Sequence, residues 1–128
     1  MDFEICFEDE KGYYVIKTSG ETTPSDVQKS LRSVFSHQCW RPGMSIMFDN
    51  RREDLTKLSS YDIKLISLKF LKFNDQLAGS KVALVMPGDL SYGLARMWEL
   101  YTERTASFKT SVFRSIENAS KWIAENQP

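Results

Sequence analysis

Two short apolar runs, residues 44–48 (MSIMF) and 81–86 (KVALVM), constrain what this chain can become more than any other feature. Turn formers bound each one: Pro42 and Gly43 precede the first, Gly79 precedes the second, and Pro87 with Gly88 follows it. A short run without alternation suits a strand covered on both faces, and such strands belong to parallel sheets with helices packed on them. The segments between the runs have helical spacing. Val27, Leu31, Val34 and Phe35 form one stripe, begun by Thr23 at the N-cap and Pro24 at the first helical position. Ile63, Ile66, Phe70, Phe73 and Leu77 form the next, opened by Ser59 and Asp62 in the pattern of a capping box and stopped by Gly79. Leu94, Met97, Trp98 and Tyr101 form a third, and Ile116, Ala119, Trp122 and Ile123 a last one, capped by Ser115.

The outer strands are patterned differently. Phe3, Ile5 and Phe7 alternate with Glu4, Cys6 and Glu8, a period of two with one buried face. Residues 9–12 (DEKG) read as a hairpin turn, residues 13–18 as the returning strand, and residues 108–113 as a final strand. The order is β-β-α-β-α-β-α-β-α. It predicts an α/β fold: a mostly parallel five-stranded sheet with an antiparallel first strand at one edge and about four helices. The 128 residues contain no internal repeat, low-complexity tract or linker, so 1–128 reads as a single domain.

Composition narrows the function. Lys plus Arg number 17 and so do Asp plus Glu, so the chain lacks the electrostatic footprint of a nucleic-acid binder. No apolar run approaches the roughly 20 residues that span a bilayer. The first ten residues, MDFEICFEDE, are acidic and hold no signal-peptide core. Cys6 and Cys39 read as free thiols in a reducing compartment, which makes the cytoplasm the expected address. One histidine and two distant cysteines give no metal-ligand spacing, and neither GxGxxG nor a P-loop is present, so no metal or cofactor is expected. No Ser-His-Asp or Cys-His set assembles; His37, near the end of the first helical stripe, reads as a cation at a helix C-terminus. An enzyme therefore ranks last.

Several short pieces, in their order, resemble the SpoIIAA-like fold of STAS domains and anti-sigma-factor antagonists, and in particular small bacterial STAS/SEC14-like proteins. They are Gly20-Glu21-Thr22-Thr23, Trp40-Arg41-Pro42-Gly43, Phe48-Asp49-Asn50-Arg51, Leu58-Ser59-Ser60-Tyr61-Asp62-Ile63, Lys81-Val82-Ala83, Gly93-Leu94-Ala95-Arg96-Met97, and Val112-Phe113 followed by Ala119, Trp122 and Ile123. The resemblance spans nearly the whole chain and implies a regulatory protein-interaction module. In the anti-sigma antagonists a serine at the start of the second helix is phosphorylated, which makes Ser59 and Ser60 candidate phosphosites here. The Asp-Ser-Ser-Gly pattern is not kept, since Leu58 and Tyr61 flank the two serines. On residue preference alone, Ser59 is a helix cap.

Ligands of open parallel sheets lie beyond the carboxyl ends of the strands. That rim would collect Thr22, Thr23, Asp49, Asn50, Arg51, Asp89 and Ser115 from connecting loops, a polar surface of mixed charge for a protein partner, a second copy of the chain included. Asp49 and Arg51 could bind a charged loop; Arg52 could simply pair with Glu53. Leu65, Leu68 and Leu71 on the second helix, with Met97, Trp98 and Tyr101 on the third, exceed what one core stripe needs. Core packing accounts for most of them. The surplus suggests an interface or the wall of a lipophilic pocket, and the SEC14-like resemblance implies a lipophilic ligand as the second reading.

Overall fold

The structure, a computed structural model, describes residues 1–86 and 88–125. Pro87, expected to begin the turn before the third long helix, lies outside the described residues. The elements run β1 (Asp2–Glu8), β2 (Tyr13–Glu21), α1 (Pro24–Phe35), β3 (Ser45–Asp54), α2 (Ser60–Leu71), α3 (Asn74–Leu77), β4 (Lys81–Val85), α4 (Asp89–Thr102), β5 (Lys109–Phe113) and α5 (Ile116–Ala124). The five strands lie side by side in chain order. β1 is antiparallel to β2 and every later pair is parallel. Gly12, at φ 73°, supplies the left-handed residue that closes the β1–β2 hairpin.

Chain-order strands have a geometric consequence. Right-handed crossovers that always step in the same direction put every connecting helix on the same face of the sheet. α1, α2 and α4 accordingly pack beside one another, α1 against α2 and α2 against α4. Beneath them lies the main core, with Tyr14, Ile16, Ile46, Phe48, Val82 and Leu84 from the strands. Among the described residues the other face receives only α5, which follows β5 and lies over β3, β4 and β5. A smaller apolar cluster fills that interface, built on Tyr13, Val15, Met47, Ala83, Val85 and Ala119. Lys81 is buried there beneath α5. Its Nζ donates to the carbonyls of Trp122 at 2.6 Å and Glu125 at 2.9 Å and lies 5.2 Å from the Trp122 ring. A cation at helix C-terminal carbonyls is favourable, so the first residue of β4 fastens the end of α5.

Three expectations need correction. The helical stripe expected to reach Gly79 breaks after Leu71, and a fifth, four-residue helix follows. The break turns Phe73 to meet Phe35, with ring centroids 5.1 Å apart. It also lets Asn74 donate to the Thr105 carbonyl at 3.1 Å and accept from the Ser107 N–H at 3.1 Å. β3 does not end at Phe48 but runs on to Asp54, so Asp49, Asn50 and Arg51 are strand residues rather than loop residues. Among the described residues the His37 ring does not bond to the end of α1: its Nδ1 lies 3.3 Å from the Cys39 N and 2.6 Å from the Tyr14 hydroxyl.

Candidate functional site

The extension of β3 creates two different environments, one on each face of the sheet. Up to Asn50 the strand alternates normally, with Ile46, Phe48 and Asn50 facing the three helices and Met47 and Asp49 facing away. Between Lys17 and Ser19 of β2 the register shifts: Lys17 pairs with Asp49, but Ser19 pairs with Arg52. One extra residue on β3 is therefore a bulge, and it inverts the alternation beyond it. Without it Glu53 would face solvent. With it, Glu53 and Leu55 turn into the core. The expected Arg52–Glu53 pair does not form.

Glu53 is only 7% exposed. Thr22 Oγ1 lies within hydrogen-bonding distance of its Oε1, and Thr18 Oγ1 lies 2.8 Å from its Oε2. Thr18 Oγ1 is also 2.7 Å from Asn50 Oδ1. Burial pushes the Glu53 carboxyl up, against the two threonine hydrogen bonds that favour its ionised form. The Thr18 hydroxyl has one hydrogen, so it cannot serve Asn50 Oδ1 and Glu53 Oε2 at once. Thr22, Asn50 and Glu53 are among the residues that line a narrow cleft of about 50 Å³ beneath α2 and α4. Its walls are apolar and include Leu58, Ile66, Phe70, Leu94 and Trp98.

The opposite face carries charge. Glu4, Lys17 and Asp49 lie directly across from one another on β1, β2 and β3. Arg51 grips Asp49 with two parallel bonds, Nε to Oδ1 at 2.8 Å and Nη2 to Oδ2 at 2.9 Å. The Arg51 hydrogen bonds hold the Asp49 carboxyl below its ordinary value despite its burial. With Arg52 these residues line an open trough of about 660 Å³. Among the described residues no helix residue lines it, because α5 packs on Tyr13, Val15 and Met47, earlier along β2 and β3.

No protein-family model matches the sequence, and no curated protein is detectably similar to it. Among solved structures, an uncharacterized protein of the DUF3478 family from Shewanella loihica PV-4, described as having a SpoIIAA-like fold, aligns with a TM-score of 0.62. The alignment covers 95% of this chain and 92% of that one at 17% identity. This chain has a SpoIIAA-like fold. At that identity the likeness speaks for the fold alone.

Within the SpoIIAA-like frame the remaining candidates separate. Ser59 is the N-cap of α2: its Oγ accepts from the Asp62 N–H at 3.1 Å, while the Asp62 carboxylate accepts from the Ser59 N–H at 2.9 Å. Ser60, the first helical residue, is exposed. Thr23 and Ser115 are likewise N-caps, accepting from the Asp26 and Asn118 N–H groups, each at 3.2 Å. Asp89 pairs with Arg114, whose guanidinium stacks 4.6 Å from the Tyr92 ring. Of the three residues expected at a lipophilic wall, Trp98 lines the cleft, Met97 is half-buried against the core, and Tyr101 is 44% exposed. The sequence reading missed Lys17, Glu53 and Thr18. A signal existed for Lys17, the one basic residue in the otherwise uncharged strand 13–20. None existed for Glu53, whose direction depends on the bulge. Among the described residues no His/Cys/Asp/Glu group could hold a metal ion, and no helix is long and apolar enough to cross a membrane.

Proposed function

We propose that this chain is a non-catalytic interaction module of the SpoIIAA-like type, and that a partner protein docks on the uncovered face of β1, β2 and β3. The ladder Glu4–Lys17–Asp49 supports this reading, with Arg51 and Arg52 beyond it on the same trough. Strands hold these charges at a fixed spacing of about 4.8 Å. A row of alternating sign on a rigid surface favours a partner loop with the reverse order and repels others, which is how charge confers specificity.

Phosphorylation, if it regulates this surface, fits Ser60 better than Ser59. The Ser59 hydroxyl lies 3.0 Å from the Asp62 carboxylate and holds the start of α2. A phosphate there would meet a negative charge and abolish a cap worth about 1 kcal/mol. The exposed Ser60 hydroxyl makes no hydrogen bond among the described residues. Quantitative affinity purification from the native host tests the docking reading with Lys17→Ala and Arg52→Glu in the trough and Lys29→Glu on exposed α1 as control. The expected result is a partner recovered by the wild type and the control but at least tenfold depleted by both trough variants. Equal recovery by all four chains removes the trough from the interface. Intact-mass measurement of the same preparations, with Ser60→Ala alongside, reads the phosphate directly.

A further inference from the structure

The cleft on the helix-covered face is built unlike ordinary core. Trp98 is 2% exposed, and its Nε1 has no hydrogen-bond partner among the described residues. Buried donors are almost always satisfied, because leaving one unpaired costs about 1–3 kcal/mol. Glu53 and Asn50, both buried, line the same cleft. An aliphatic residue in place of Glu53 would have removed the cost of desolvating a carboxyl, yet the bulge in β3 turns it inward. Three buried polar side chains lining one apolar slot are the arrangement of a ligand pocket: apolar walls, with a few polar groups that orient the ligand.

We propose that this cleft binds a small neutral molecule with an apolar body and one carbonyl or hydroxyl oxygen, the oxygen accepting from Trp98 Nε1. The body would lie against Leu58, Ile66 and Leu94. A neutral head is favoured because the Met1 ammonium, the cation at the cleft, is already paired with Asp26 at 3.1 Å, so a carboxylate would enter without compensation beside the Glu53 carboxyl. Size sets the class. The slot of about 50 Å³ is roughly a third of a cavity of ~150 Å³ that accepts benzene. One- and two-carbon alcohols match it, whereas a ketone close to benzene in size or a long acyl chain does not. The site lies on the face of the sheet opposite the charged trough, so it stands or falls independently of the docking reading.

The chain has three tryptophans, so its proton–nitrogen correlation spectrum has three indole signals, assignable with Trp40→Phe and Trp122→Phe. Titration of the full-length chain with ethanol should move the Trp98 indole signal saturably and leave the other two in place. Acetate, of the same length but charged, should bind at least tenfold more weakly. Ala95→Val, which narrows the cleft, and Leu94→Phe at its wall should each abolish the saturable shift, with the dispersion of the spectrum reporting that each variant is folded. Several results would overturn the proposal: no movement or an unsaturable drift of the Trp98 signal, equal movement of all three signals, acetate binding as well as ethanol, or folded variants that retain the wild-type response. The cleft would then be a hydrated flaw in the core.

Discussion

At the residue scale, Glu53 shows how one inserted position changes the chemistry of a strand. Residues 49–53 read DNRRE, a polar run with no apolar alternation to betray a change of register. Nothing in that run announces which side chain turns inward, so the run reads as a loop. The caps behaved differently: Thr23, Ser59 and Ser115 were legible because capping depends on three or four consecutive residues and on no distant partner. Glu53 also ties stability to pH. Its carboxyl is raised above the ordinary 4.5 by burial, so the folded chain keeps a proton that the unfolded chain has released. Its contribution is full below 4.5 and falls as pH rises through the folded value. Asp49, held low by Arg51, has the opposite slope and loses its contribution as pH falls. Glu53→Gln removes only the first effect. In urea unfolding across pH 4 to 9, the variant should gain on the wild type as pH rises from 4.5 to the folded value and level off beyond it; a constant difference would mean that Glu53 does not titrate in that range.

At the element scale, the secondary structure that the sequence conveyed well is the part fixed by periodicity. Strands β1 and β4 and helices α1 and α5 emerged close to their observed bounds. The break between α2 and α3 did not, because its causes are the distant Phe35 ring and the 105–107 segment, which Asn74 meets only in the folded chain. α5 illustrates the same dependence. It has nine residues, too few for a helix to persist alone in water, and so relies on what it packs against. Lys81, 4% exposed, supplies the fastening by donating to two carbonyls at its end. Lys81→Met keeps the length and apolar stem of the side chain and removes the donor. It should cost about 2 kcal/mol, the scale of hydrogen bonds to a charged group. Native-state hydrogen exchange should show the loss of protection concentrated in residues 116–124, and an even loss across the sheet would assign Lys81 a general core role instead.

At the scale of the whole molecule, the alternation of strand and helix patterns gave the parallel sheet and its antiparallel edge, and the SpoIIAA-like resemblance was sound as to fold. The unequal cover of the two faces was not read from the sequence, although the handedness of crossovers implies it once the strand order is known. That inequality exposes the charge ladder, and the ladder has a measurable cost when disturbed. Lys17→Glu places three acids in a row across β1, β2 and β3. Like charges on facing strands destabilise, so the melting temperature should fall at low salt by the equivalent of about 1 kcal/mol. At 1 M salt, where the screening length is about 3 Å, circular-dichroism melts of variant and wild type should converge; a gap that persists would point to lost packing rather than charge. The strand order has one more implication, concerning time rather than space. A sheet whose spatial order equals its chain order grows at a single edge, as each newly made strand meets a neighbour already synthesised. On a ribosome, where the N-terminal part emerges first, no strand of this sheet has to wait for a later one, and the face under α5 stays open until residues 116–124 arrive.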